Sequence, residues 1–333
     1  MAEKITIALK RGASCCGCDI AIVNLSEKLL DLLAIADIVF APTLIDTKYK
    51  DLEAMPDGSI TLGLYHGAVR NSENEELAHI MRKKCQVLIA YGACAHLGGI
   101  PGLANATTKE KIFDTVYNTT HSTVNPEGTV PQEEWTDPQG HKLTLPKFYD
   151  RVKRLDEVVD VDYYVPACPP TYDMNLQILQ VLSDFVAGKA PLPPKGTIIA
   201  SEKIVCDECP RKKSDKVRME QVRFLTEFFP DEEKCFLEEG ALCMGPATRA
   251  GCGAVCIEMG NMPCRGCMGP TAMKTDQGAA IMSAVASILD TGKEGLDGVT
   301  KELMAQVKDP LGYFYRFSLP SSLLNRAKIK EEE

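Results

Sequence analysis

Residues 235–267 read CFLEEGALCMGPATRAGCGAVCIEMGNMPCRGC, six cysteines spaced C-x7-C-x8-C-x3-C-x7-C-x2-C. A further C-x2-C pair, Cys206 and Cys209, lies shortly upstream. The spacing is too uneven, and the sulfurs too many, for a disulfide scaffold or one zinc knuckle. Eight thiolates make two complete four-cysteine sites, the ligand count of iron–sulfur clusters. The glycines and prolines of MGPATRAGCGAVC and MPCRGCMGP let the backbone turn tightly around a bound group. This stretch therefore points to an electron-transfer protein.

Working outward, 333 residues suffice for a large core and two domains. Hydrophobic residues at 45% and charged residues at 25% are an ordinary globular balance. A net charge of -9 argues against nucleic acid or an anionic membrane as the main partner. The basic run Arg211-Lys212-Lys213 is read as a solvated face. MAEKITIALK runs straight into a strand pattern with no signal segment or twin arginine, and no run of about 18 apolar residues occurs. The expected location is the cytoplasm, where the 14 cysteines are better suited to metal than to disulfides. A hyperthermophilic host would be the exception.

The first half alternates strand and helix patterns. Strands are expected at Ile5 to Leu9, Ile38 to Ile45, Thr61 to Tyr65, Gln86 to Tyr91 and Asp162 to Val165. Helices are expected at Ile20 to Ala34, Asn71 to Lys84 with Asn71 or Ser72 as cap, Lys111 to Thr119, and Tyr172 to Val186. The polar, turn-rich stretch from Asn118 to Pro146 reads as a long loop holding Trp135. Such alternation predicts an open, mainly parallel α/β sheet with helices on both faces. Gly188 to Gly196 breaks helix and marks a boundary between domains at 1–190 and 191–333. Beyond it, about 70 residues of weak periodicity are expected to bury little apolar surface and to need bound clusters for order. Helices then return at Gly278 to Leu289 and Leu296 to Val307, before the aromatic YFYRF and a KIKEEE tail.

Cys15 and Cys18 follow the first strand, Cys94 the strand Gln86 to Tyr91, and Cys168 the strand Asp162 to Val165. Ligands bind open α/β sheets outside the carboxyl ends of the strands. Four cysteines distant in sequence are thus predicted to converge on one sheet edge, a third four-sulfur site. Helices starting after Cys18 and after Cys168, with Pro169 and Pro170 in the first turn, would turn their positive ends to it. Cys85 reads as a buried small hydrophobe and Cys16 as a non-ligand. No G-x-G-x-x-G follows a strand and no G-x4-G-K-[ST] occurs, so nucleotide or flavin binding through those motifs is not expected. The histidines (His66, His79, His96, His121, His141) form no ligand pair; His96 alone neighbours a proposed ligand and suits a supporting role.

The motifs C-x2-C (Cys15, Cys18), G-x-C-x3-GG (Gly92 to Gly99) and PxCPP (Pro166 to Pro170), followed by the cysteine-rich second half, resemble the small subunit of nickel–iron hydrogenases. In particular the chain is similar to the methyl-viologen-reducing, deazaflavin-non-reducing kind found beside heterodisulfide reductase, over residues 4 to 290. The resemblance implies a flavodoxin-like first domain, an irregular iron–sulfur second domain and three [4Fe–4S] clusters in a line. It assigns the proximal cluster to Cys15, Cys18, Cys94 and Cys168. It assigns the distal cluster to Cys206, Cys209, Cys235 and Cys243, and the medial to Cys252, Cys256, Cys264 and Cys267. The Ni–Fe centre would sit in a partner large subunit. This chain would hold no catalytic residue and would relay electrons to an iron–sulfur acceptor, such as the heterodisulfide reductase/ferredoxin system.

Three positions depart from the membrane-bound and periplasmic relatives. Cys206 stands where they have histidine, which changes the cluster's charge. Cys256 stands where proline commonly accompanies a three-iron cluster, and Ser14 stands where many carry glutamate. The main rivals are a complex I-like subunit, which lacks the eight second-half cysteines, and a zinc-binding module using Cys206-x2-Cys209 and Cys264-x2-Cys267. A sensory hydrogenase subunit is a third. The loop around Trp135 is a candidate partner-facing surface.

Overall fold

The computed structural model describes residues 4–273, 275–289 and 305–326. Its strands in chain order are β1 (Ile5–Arg11), β2 (Ala36–Phe40), β3 (Ile60–His66), β4 (Val69–Asn71), β5 (Cys85–Tyr91), β6 (Glu134–Thr136), β7 (Lys142–Thr144), β8 (Phe148–Lys153) and β9 (Tyr163–Val165). Five of them make one parallel sheet in the order β2-β1-β3-β5-β9. This is the flavodoxin-like doubly wound order, as expected. β4 pairs with β8 and β6 with β7, both antiparallel.

Strand alternation feeds two cores. Ile7, Leu9, Leu62 and Ile89 point to one face, packed by Ile22, Met174 and Leu182 from α1 (Gly17–Val23) and α7 (Tyr172–Val186). Ala8, Phe40, Tyr65 and Leu88 point to the other, covered by Leu52 of α3 (Tyr49–Ala54) and by Ala78 and Met81 of α4 (Ser72–Lys84). The Asn71 side chain accepts the Asn74 N–H at 2.8 Å and caps α4, while Arg82, Lys83 and Lys84 complement the dipole at its other end.

Several expectations shift. The helix expected over Ile20 to Ala34 is two, α1 and α2 (Lys28–Ile35), because the chain turns at 24–27 to bury Leu25, with Ser26 at φ +53°. The second strand stops at Phe40, two residues short of Pro42, which has no N–H for a ladder. α5 (Ala93–Leu97) carries Cys94, and α6 (Lys109–Asp114) is closed by a π turn, Thr115–Thr119. The long loop contains the β6–β7 hairpin, with Trp135 exposed. Pro169 and Pro170 lie ahead of α7, whose cap is Thr171, accepting the Met174 N–H at 3.4 Å. The helix expected at Leu296 to Val307 and the KIKEEE tail lie outside the described residues, apart from 305–307.

The second half is irregular, as expected: short 3-10 turns and α8 (Val255–Glu258) lead to α9 (Gln277–Ile288). It is not poor in apolar burial, however. Met219, Phe236, Leu242 and Ile257 are buried together with Ile281, Val285 and Phe314. Met219, Phe236 and Leu242 come from turns and short 3-10 segments without any period, which is why no sequence pattern announces them; Ile281 and Val285 lie on α9, at the expected helix. Among the described residues no helix is long and apolar enough to cross a membrane.

The two halves interlock. Residues 197–199 run alongside β9, through Tyr164 N–H to Thr197 O at 3.1 Å and Ile199 N–H to Tyr164 O at 2.8 Å. The C-terminal segment returns to the loop after α5, where Phe317 O accepts the Gly99 N–H at 3.1 Å and Asn325 Oδ1 accepts from Asn105 at 2.8 Å. Pro320 occupies the space where a Cβ on Gly102 would stand. Gly102→Ala is expected to displace Pro320, at an overpacking cost of about 1–3 kcal/mol. The readouts are a lower apparent melting midpoint and faster proteolysis within 314–326.

Candidate metal centres

The carboxyl ends of β1, β5 and β9 lie at one edge of the parallel sheet, with β3 between β1 and β5, and the loops leaving β5 and β9 are stitched together. Gly92 N–H donates to Val165 O and Ala93 N–H to Ala167 O, each at 2.7 Å, joining the Cys94 loop to the Cys168 loop. A Cβ on Gly92, which has φ +86°, would stand 2.5 Å from Cys18 Sγ, so a larger residue would intrude on the thiol. Gly17 lies against both Cys15 Sγ and Pro169. Burial pushes the Cys18 thiol far up, and the neighbouring Cys94, Cys168 and Cys15 push it in the same direction. Cys94 is raised to about 12, by burial and then by Cys168 and Cys15. The four cysteines expected to converge are thus one group.

Cys206, Cys209, Cys235 and Cys243 line a single small cavity, walled by Phe236, Leu237 and Ile257. Burial raises Cys206 to about 12, with Cys243, Cys235 and Cys209 adding to it. Arg211 fixes the rim: its guanidinium donates to Asp231 O at 2.7 Å and stacks over Phe236 at 3.6 Å. The basic run read as a solvated face is therefore split, with Arg211 buried and Lys212 and Lys213 exposed.

The third group joins the other two. Cys267 is raised to about 12 by burial and then by Cys252, with Cys168 and Cys256 also contributing. Cys264 is raised by burial, then by Cys243 and Cys267. Backbone bonds bind the same neighbours: Ala167 N–H to Cys267 O at 3.2 Å, and Met244 N–H to Cys264 O at 2.9 Å. The sulfurs of 252, 256, 264 and 267 thus sit between the sheet-edge group and the 206–243 group. Cys85 is buried in the β3–α4 core, apart from the sulfur groups, and Cys16 contacts Arg11 instead.

As a donor set, twelve thiols in fours, each four including at least one buried sulfur, suit a large anionic cluster. Buried sulfurs such as Cys18, Cys94, Cys243 and Cys264 are held protonated by desolvation, and bound iron would supply the compensating positive charge. Among the described residues no group of three or more His, Cys, Asp or Glu is disposed to hold a single metal ion. A four-iron cluster places each ligand at a separate corner and needs them further apart than one ion does.

Two other polar residues near the sulfur groups, His66 and Glu208, were not singled out by the sequence, whereas His96 was. His66 is fully buried, with Nε2 3.0 Å from Asp19 Oδ1 and Nδ1 3.3 Å from Ser14 Oγ, so it ties β3 to the Cys15–Cys18 loop. The acid one residue after Cys18 was its only sequence cue. His96 is buried edge-on against Tyr164 at 4.8 Å, and burial, then Arg154 and Arg249, pull it down to about 3, so it stays neutral. Glu208, inside the C-x2-C pair, accepts N–H groups of Gly251 and Ala254 at 2.9 and 3.2 Å.

A family model described as NADH ubiquinone oxidoreductase, 20 Kd subunit, matches residues 15–182. That match ends before Cys206, the first of the second-half cysteines. Full-length relatives extend across them. The iron–sulfur subunit of the F420-non-reducing hydrogenase of Archaeoglobus profundus is 45% identical over 335 residues, 99% of this chain and 100% of the relative. An F420-non-reducing hydrogenase subunit of Methanothermobacter marburgensis is 37% identical over 334 residues, 100% of this chain and 99% of the relative. The solved recombinant [NiFeSe] hydrogenase from Desulfovibrio vulgaris Hildenborough shares the fold, with TM-score 0.51 and 16% identity over 81% of this chain and 95% of that one. The chain therefore belongs to the iron–sulfur subunit family of F420-non-reducing hydrogenases, and its first half to the 20 Kd oxidoreductase subunit family.

Proposed function

We propose that this chain is the electron-relaying small subunit of a [NiFe] hydrogenase and holds three [4Fe–4S] clusters. In this reading residues 1–190 carry the proximal cluster on Cys15, Cys18, Cys94 and Cys168. Residues 191–333 carry the medial cluster on Cys252, Cys256, Cys264 and Cys267 and the distal on Cys206, Cys209, Cys235 and Cys243. The observation that carries the reading is the juxtaposition of three cysteine fours, each adjoining the next.

Bound clusters supply one-electron carriers. The chain's own work is to hold the thiols together, bury them and set the surrounding charge. Hydrogen chemistry belongs to a Ni–Fe centre in a large-subunit partner, and the electrons leave to an acceptor protein of the heterodisulfide reductase/ferredoxin kind. The exposed hairpin with Trp135 is proposed to face a partner, and the protein to work in the cytoplasm.

Anaerobically prepared complex is expected to contain about twelve irons in this chain, and Cys94→Ser, Cys235→Ser and Cys252→Ser about four fewer each. A wild-type content near four sinks the reading. Removing the iron with a chelator should strip hydrogen-exchange protection from residues 199–276, where ladders are scarce, before the parallel sheet loses any. Deleting residues 122–143 is expected to weaken assembly with the partners. Co-purification at wild-type yield would remove that surface from consideration.

A further inference from the structure

Glu208 lies between Cys206 and Cys209 in the chain, yet its carboxylate serves a turn more than forty residues away. Oε2 accepts the Gly251 N–H at 2.9 Å and Oε1 the Ala254 N–H at 3.2 Å, while Cys252 Sγ is 3.5 Å from Oε1. Asp207 beside it does only local work, accepting the Ile204 N–H at 3.0 Å. One side chain of the distal loop thus reaches the turn that presents a medial ligand.

We infer that Glu208 is a tuning residue that places a negative charge beside Cys252 and holds the medial cluster's reduction potential down. The inference rests on the three-cluster reading above. Its sign follows from charge. Reduction adds an electron to the cluster, and a carboxylate against a ligand sulfur disfavours that addition. A second effect has the same direction. The carboxylate occupies the Ala254 N–H, two residues from Cys252. Hydrogen bonds to cluster sulfurs favour the reduced state, so occupying the donor lowers the potential too.

The test is a redox titration of the intact hydrogenase complex followed by electron paramagnetic resonance, with the medial signal identified by its loss in Cys252→Ser. Glu208→Gln is expected to raise the medial midpoint by a tenfold or greater change in the reduction equilibrium, about 59 mV for one electron. The proximal and distal midpoints should move less, and Asp207→Asn should leave the medial one within threefold. Should Glu208→Gln lose the medial cluster, Glu208→Ala is read in the same way. An unmoved medial midpoint, or an equal rise in Asp207→Asn, overturns the inference and leaves the three-cluster reading standing. Loss of medial iron in both Glu208 variants makes the residue a brace only and also overturns it. Wild-type complex with fewer than three clusters in this chain overturns the cluster reading itself.

Discussion

Buried thiols crowded in fours cannot ionise unless something cationic joins them. Burial pushes the Cys18 thiol upward, and its neighbours Cys94, Cys168 and Cys15 push it further. Iron bound to such a group would remove that penalty, and binding would then be coupled to folding. Around this constraint the chain makes two different frames. At the sheet the thiols hang from strand ends that are already fixed by a five-stranded ladder. Beyond it they hang from turns, and an apolar cluster including Phe236, Leu242 and Ile281 is the scaffold.

The joins between frames matter as much as either one. Ala167 and Cys267 share a hydrogen bond across the halves, and Gly99 is held by Phe317 from the far end of the chain. Within the second half, buried Arg249 donates to Glu202 at 2.5 Å and to Pro270 O at 3.3 Å. An interior closed by backbone bonds of this kind keeps the sulfur groups at fixed separations. One-electron relays depend on those separations.

The parallel order and both faces of the sheet were legible because strand and helix periods are strong there: Ile7, Ala8 and Leu9 alternate, and α7 runs Tyr172–Val186 as its pattern says. The break at Ser26 was not, since apolar spacing continued through it while Leu25 turned inward. The β4–β8 pair was missed because its strands are three and six residues long and nearly eighty apart. Among the described residues of the second half, only α9 has a period to read; the burial of Met219, Phe236 and Leu242 follows from contacts between turns and that helix.

From sequence alone came the cysteine inventory and the loops that carry it, because thiol chemistry and strand-end topology are local or ordinal properties. Tertiary structure decided which sulfurs are neighbours in the second half, that Arg211 is a buried brace and that His66 holds the Cys15–Cys18 loop. It also decided that Glu208 bonds to the turn at 251–254, more than forty residues away. The physical reason is that charge and burial act through space, and spacing along a chain does not encode distance across it.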